Sequence, residues 1–336
     1  MTEWTPDLPG RFEDCLPEPV PAQRLTPLPW IDAVTAPALA QEEHAPLRWI
    51  LPGLLPEGLC LFAGREKGGK SFMALQIALA VATGGRALDT VEIDEPGSVL
   101  MLALEDSRRR LKERLEKLAA GRALPETLEL GTVAPEIGDE LLEGFAAWRK
   151  TRTNPRLIVI DVLRAVKPPS GSRSGYDEDA RTLAPLLNWV RERPGVGIMV
   201  LHHTNKATWA DPFDGISGTR GLSGVPDSLW VLVQGETLDA PWKLQGRGRD
   251  LEPFAKELQR LPDGGWRIAG DATATAKTSE RTDILRLLKD KGQPMGTGEI
   301  AEALGKANST ISEQLRRMAK AGEVVGSGYG MWALPA

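Results

Sequence analysis

The chain has 336 residues, 26% of them charged, with a formal net charge of −5. That length buries a large core without staples and suggests about two domains, while the mildly acidic balance means that any nucleic-acid contact must come from a local basic patch. Two cysteines (Cys15 and Cys60) make no disulfide framework, Glu3 and Asp7 stand where a secretory leader would need positive charge, and no apolar run is long enough to span a bilayer; together these predict a cytoplasmic protein with no membrane partner.

Residues 1–46 carry eight prolines between Pro6 and Pro37 and little periodicity, which predicts an extended arm. Trp30-Ile31 and Trp49-Ile50-Leu51 are short apolar pieces able to dock on a core. From 47 to 270, apolar runs alternate with helical stretches: Leu59–Ala63, Val99–Leu104, Leu157–Ile160, Gly197–Leu201 and Ser228–Val233, with helices at Ser71–Thr83, Arg108–Ala120 and about Asp177–Glu192. Such alternation predicts an α/β domain with a mostly parallel sheet.

Residues 64–71, Gly-Arg-Glu-Lys-Gly-Gly-Lys-Ser, fit the phosphate-loop pattern G-x-x-x-x-G-K-[ST] between a buried strand and a helix. Its glycines let backbone N–H groups curl around a polyphosphate, so Gly64, Lys67, Gly68, Gly69, Lys70, Ser71 and Phe72 are candidate ATP-binding residues. Lys70 can reach the β- and γ-phosphates, and the Ser71 hydroxyl can take a Mg²⁺ coordination site. The strand Leu157–Ile160 ends in Asp161, a second candidate metal residue. Val162 follows it, so the carboxylate that orients the attacking water is sought at the end of Val99–Leu104, where Glu105 is preferred over Asp106. His202-His203 ends Gly197–Leu201 and is placed to sense the γ-phosphate; neighbours on a strand point oppositely, so one of the two faces it.

Two loops suit single-stranded DNA: 167–176, with Pro168, Pro169 and Arg173, and 204–221, with Lys206, Trp209 and Arg220 beside Asp211 and Asp214. Arg247 and Arg249, flanked by glycines, are candidates for a cation reaching a neighbouring subunit's nucleotide. Residues 271–280 are small and polar and are assigned as a linker. Beyond it, Arg281–Lys291, Thr297–Leu304 (Thr297 as N-cap) and Asn308–Ala321 are predicted helices, with Gly322 as a stop and a hairpin around Gly326-Ser327-Gly328. Three helices and a wing make a winged helix-turn-helix, with Ser309–Arg317 as its recognition helix. Nine Lys/Arg against seven Asp/Glu in 277–336 make this tail the more basic part. It is assigned to duplex DNA or to a protein partner.

The ordered set Gly64–Ser71, Leu104-Glu105-Asp106, Ile160-Asp161, Leu201-His202-His203-Thr204 and Arg220-Gly221-Leu222-Ser223 with Asp227 resembles the RepA-like ATPases, RecA-fold relatives of the DnaB replicative helicases found on plasmids, phages and mobile elements. The resemblance covers about residues 47–260. It implies a RecA-like P-loop ATPase core in a hexameric ring with ATP at subunit interfaces, translocating on single-stranded DNA. It further implies that Glu105 is catalytic, that Asp161 and Ser71 hold Mg²⁺, and that His203 is the sensor. In one respect the chain departs from it: Ser228-Leu229-Trp230 offers no arginine finger, which leaves Arg247 or Arg249. Readings of other classes are an ATP-gated DNA-binding regulator and a helicase-loading or recombinase-type ATPase.

Overall fold

The computed structural model describes residues 33–169, 175–205, 209, 211–216, 220–235, 240–326, 328 and 330–335. The chain divides into two units, 1–46 and 47–336. In the first, the described residues hold one helical turn, Ala36–Leu39, capped by the Thr35 hydroxyl, which accepts from the Ala38 amide (3.3 Å). The proline-rich stretch before residue 33 and the docking piece Trp30-Ile31 lie outside the described residues.

The second unit is built on a nine-stranded sheet. Its strands are β1 (Gly58–Gly64), β2 (Ser98–Ala103), β3 (Leu128–Gly131), β4 (Pro155–Asp161), β5 (Gly197–His203), β6 (Ser228–Val233), β7 (Trp242–Gly248), β8 (Phe254–Arg260) and β9 (Trp266–Asp271). They lie in the order β9-β8-β7-β6-β1-β5-β4-β2-β3. The run from β6 to β3 is parallel throughout, and β7, β8 and β9 extend it antiparallel beyond β6. The parallel half is the predicted one. β3 and the β7–β9 extension are additions, and the glycine-flanked Arg247 lies within strand β7.

Both faces of the parallel strands inside the β3 edge are buried, as crossover helices require. On one face lies α1 (Lys70–Thr83), apolar nearly all round, with Met73, Ala74, Leu75, Ile77, Ala78 and Val81 fully buried. Beside it runs α2 (Arg108–Ala119), which turns only Leu111, Leu115, Leu118 and Ala119 inward. The opposite face is covered by α3 (Asp139–Thr151) and α4 (Gly175–Arg191), which bring Phe145, Trp148, Leu183, Leu186 and Trp189 into the core. Trp230 on β6 is fully buried. It packs edge-on to Phe62 and Phe254, and its indole N–H is satisfied by the Leu54 carbonyl (3.0 Å). Arg156, also fully buried, donates to the Gly195 and Trp49 carbonyls (2.6 and 2.7 Å) and ties the Trp49–Leu51/Leu55–Pro56 hairpin to the start of the sheet.

The C-terminal part differs from expectation in one respect. Residues 271–280 do not form an irregular linker: β9 ends at Asp271, and helix α5 runs unbroken from Ala272 to Lys291. No glycine or proline interrupts 271–291, and Ala272, Ala274, Ala276 and Lys277 carry helix propensity through the polar stretch. α5 leads to α6 (Thr297–Ala303), α7 (Asn308–Lys320) and a small sheet of β10 (Met295–Gly296), β12 (Met331–Ala333) and β11 (Val325–Gly326), in that spatial order. Ile284, Leu288, Ile300, Ile311, Leu315 and Met318 make a separate core. This is a winged helix-turn-helix. Thr297 is not the N-cap of α6. Gly296 is, with its amide held by the Glu299 carboxylate (2.8 Å), while the Thr297 hydroxyl accepts from the Trp332 indole (3.0 Å). Gly322 stops α7 with a left-handed φ of 74°. Among the described residues no helix is long and apolar enough to cross a membrane.

Candidate nucleotide-binding site

Strand register brings four of the predicted groups to one edge of the sheet. Gly64, the last residue of β1, is level with His203 on β5, and Ala103 on β2 is level with Asp161 on β4. Glu105 follows β2 by two residues. A parallel sheet with helices on both faces leaves its strand C-termini open as a crevice, and the phosphate loop opens into it.

The loop closes onto α1 through Gly69, whose φ of 93° lies in the left-handed region. A Cβ at this position would also press on the buried Trp266 ring at 2.9 Å and displace the tip of the Arg260 side chain. Gly69→Ala is therefore expected to lower nucleotide affinity by at least about tenfold through backbone strain and collision, while the melting temperature falls only a few degrees. Parallel binding and melting curves check this.

Lys70 is 5% exposed. Its ammonium donates to the carbonyls of Gly64 (2.7 Å) and Arg65 (2.9 Å) and lies 3.3 Å from Nδ1 of His203. Burial pulls its pKa down to about 8, against the opposing pull of Asp161, Glu105 and Glu66. Asp161 is likewise 5% exposed. Burial pushes its carboxyl up to about 6, and the Ser71 hydroxyl bonded to it and the Lys70 charge limit the rise. Burial and the Lys70 charge also hold the His203 imidazole below its ordinary value, despite Glu105 and Glu66. Lys70, Ser71, Asp161 and His203 thus form one contiguous cluster, with Glu105 exposed at its rim. Ser71 and Asp161 join a hydroxyl and a desolvated carboxylate at the end of a phosphate loop, a hard-oxygen donor set suited to Mg²⁺.

Asp106 has a different task. It pairs with Arg110 (2.9 Å) and Arg114, fastening the start of α2. The Phe72 ring packs toward the turn at Gly264. Lys67 occupies a left-handed conformation at φ 60°. Cys60 is buried, with its thiol pushed up to about 12 by desolvation, and has no part in the chemistry.

Arg247 and Arg249 are not in this cluster. Arg247 is level with Leu229 and, through it, with Leu61. Three residues, about 10 Å of strand, separate that level from Gly64. Arg247 pairs with Asp211 (2.9 Å) and its guanidinium carbon lies 3.9 Å from the Phe213 ring centroid. Arg249 pairs with Asp227 (2.9 Å), whose other oxygen accepts from the Leu59 amide at the start of β1. Both therefore sit toward the sheet edge remote from their own phosphate loop. Of the loops assigned to single-stranded DNA, residues 170–174, 206–208, 210 and 217–219 lie outside the described residues, Arg173 and Lys206 among them, as does the Arg220 side chain. Trp209 is 45% exposed and donates to Asn205 (2.7 Å).

The antiparallel extension brings further residues to the loop that sequence reasoning missed: Trp242, Arg260 and Trp266. The Trp266 indole donates to the Gly69 carbonyl (3.3 Å), and its backbone N–H and C=O both bond the Gln76 side chain (2.8 Å each). The available signal was Leu261-Pro262-Asp263-Gly264-Gly265, a turn sequence that predicts a hairpin bringing its flanking strands together. A cavity of about 450 Å³ lined by Gln76, Leu79, Thr83, Arg86, Arg122 and Asp263 lies behind α1 and includes no residue of the phosphate loop.

Comparison with known proteins agrees with this geometry. Residues 278–324 match the model described as bacterial regulatory protein, arsR family. Among solved structures, the chain is similar to one titled as an ATPase domain, at TM-score 0.50 and 15% identity over 63% of this chain and 84% of that one. Another, titled "The Structure Of A DnaB-Like Replicative Helicase And Its Interactions With Primase", matches at TM-score 0.49 and 15% identity over 62% and 57%. The first shares the fold, a RecA-like ATPase core. Residues 23–208, more than half the chain, match the AAA domain model, and with a phosphate loop at the strand tips of a mixed sheet this chain belongs to the AAA domain family.

Proposed function

We propose that the chain is a Mg·ATP-hydrolysing motor of the replicative-helicase type, translocating on single-stranded DNA as a ring, in the replication of a plasmid, phage or mobile element. Support comes from one juxtaposition: Lys70, the Ser71–Asp161 pair and His203 meet at the strand tips, with Glu105 at the rim. In this reading the loop amides and Lys70 bind the polyphosphate. Ser71 and Asp161 hold Mg²⁺, which when bound neutralises phosphate charge and orients the terminal group. Glu105 accepts a proton from the attacking water. His203, 3.3 Å from the Lys70 ammonium, registers loss of the terminal phosphate and passes it to the segment that follows β5. Arg247 or Arg249, remote from its own loop, exchanges its intramolecular carboxylate for a neighbour's nucleotide, most simply in a hexamer. The test is ATP turnover with and without oligo(dT): stimulation supports the motor, and unchanged turnover contradicts it.

The metal role of Asp161 has a pH signature. The residue must be ionised to hold a cation, and its carboxyl sits at about 6. Mg²⁺-dependent affinity for ATP is therefore expected to be complete near pH 8 and to fall through about pH 6, whereas an ordinary aspartate would hold to about pH 4. For the fold the sign is opposite. A raised carboxyl binds its proton more readily in the folded chain, so its stabilising contribution is present below the ordinary value of 3.8 and is lost as pH rises through about 6. Asp161→Asn should flatten the Mg²⁺ titration across this range.

A second reading, an ATP-gated DNA-binding regulator, is favoured by the arsR-family match and by the outer face of α7. That helix exposes Asn308, Ser309, Thr310, Glu313, Arg316, Arg317 and Lys320, with Glu313 paired to Arg317. A regulator prefers one duplex sequence and a motor prefers single strands, so a gel-shift comparison of the two DNA forms separates them.

A further inference from the structure

Arg260 ends β8 at the sheet edge that carries the phosphate loop. Gly64 is level with Leu232, Leu232 with Leu244, Leu244 with Lys256, and Arg260 lies four residues further toward that edge, opposite Trp266. Its guanidinium carbon lies 4.5 Å from the Trp266 ring centroid and 5.9 Å from that of Phe72, the residue that follows Lys70-Ser71. It also fills the space a Cβ on Gly69 would need.

Two rings set this position: among the described residues Arg260 makes no ion pair, although the Asp263 carboxylate acts on its charge from further away. Its neighbour Arg114 differs, since Asp106 neutralises it. An arginine kept only to cover Trp266 would act through its hydrocarbon stem, and its charge would be incidental. An arginine whose charge is used has to sit where an anion arrives, and the groups within reach here are the Gly69 turn and the first turn of α1, where phosphates bind in a loop of this kind. Arg260 is itself exposed to solvent; local desolvation, together with Arg114, lowers its pKa, against the pull of Asp263, and a guanidinium stays protonated throughout.

We propose that Arg260, stacked on Trp266 beside Phe72, is a positioning residue of the nucleotide site. It braces the Gly69 turn from outside and lends a positive charge that no ion pair holds to the phosphates of a nucleoside polyphosphate bound by its own chain. This rests on the phosphate-loop reading above and adds to it a cation acting in cis, on the same subunit. The expected consequence is preference for the more highly charged nucleotide, because each added phosphate feels the same fixed cation.

Titrations of the full chain with fluorescent N-methylanthraniloyl ATP and ADP, in Mg²⁺ buffer at low and moderate salt, test this. Arg260→Met, which keeps an apolar stem against the rings, is expected to weaken ATP about fivefold and to shrink the ATP-over-ADP preference and its salt dependence. Arg260→Lys, which keeps the charge but loses the planar stack on Trp266, is expected to fall between the parent and the Met variant. The ATP-to-ADP ratio is read within each variant, so it does not depend on the fraction folded. A Met variant that keeps the parent ratio overturns the proposal, as does a Lys variant as weak as the Met variant. Lys70→Ala separates the two levels: if it loses ATP while Arg260→Met does not, only the role of Arg260 falls. If it binds ATP as the parent does, the phosphate loop itself has been misread.

Discussion

Lys70→Ala is expected to weaken Mg·ATP binding by about 100-fold or more and to abolish turnover in a chain that still folds. The ammonium is 5% exposed and is held by two loop carbonyls and the neighbourhood of His203. Those are contacts it can exchange for phosphate oxygens without moving to a new site. Charge-assisted hydrogen bonds are worth about 1.5–3 kcal/mol each, and two of them account for a factor of about 100. The fold is less affected. Burial has already pulled the lysine down to about 8, so its charge is costly where it sits, and its removal relieves that cost while leaving Asp161 and Glu105 less compensated. The melting temperature without nucleotide should therefore shift by only a few degrees. Mg·ATP should raise the melting temperature of the parent and leave that of the variant unchanged.

Glu105→Gln should separate binding from chemistry. Removing a positioned base costs about 10²–10⁴ in rate, and Glu105 lies exposed at the rim of the cluster rather than in the cradle. The expected result is a kcat lowered at least about 100-fold, with ATP affinity within about threefold of the parent. Asp106→Asn is the control. Asp106 is committed to Arg110 and Arg114, so its loss should lower the melting temperature and leave most of the turnover. Pre-steady-state phosphate release on the two variants tells them apart. If Asp106→Asn is the dead enzyme and Glu105→Gln is active, the assignment of the base is wrong.

The parts of the site legible in the sequence share one physical signature. β1, β2, β4 and β5 are short runs buried on both faces, and β2, β4 and β5 each lead into a polar group, so the apolar block and the candidate residue are read together. Glu105, Asp161 and His203 are all found this way, and the glycine pattern marks the loop between β1 and α1. The antiparallel extension has no such signature. β7 carries Gly246, Arg247 and Gly248 within the strand, and β8 has only Leu258 fully buried. Neither forms an apolar block, and Arg260 went unread with them. The same weakness explains β3, four half-buried residues at the far edge. Residues 271–280 misled in the opposite sense: small polar residues resemble a linker, but without glycine or proline they propagate the helix already demanded by Ile284 and Leu288. Thr297 was a plausible cap by residue type, yet tertiary structure claimed its hydroxyl for Trp332.

The most direct measurement is phosphate release from Mg·ATP by the full chain, with and without oligo(dT), in the parent and in Glu105→Gln. Turnover in the parent that rises with the oligonucleotide and vanishes in the variant is the predicted result. A parent chain that neither binds nor hydrolyses ATP, or a variant as active as the parent, would contradict it.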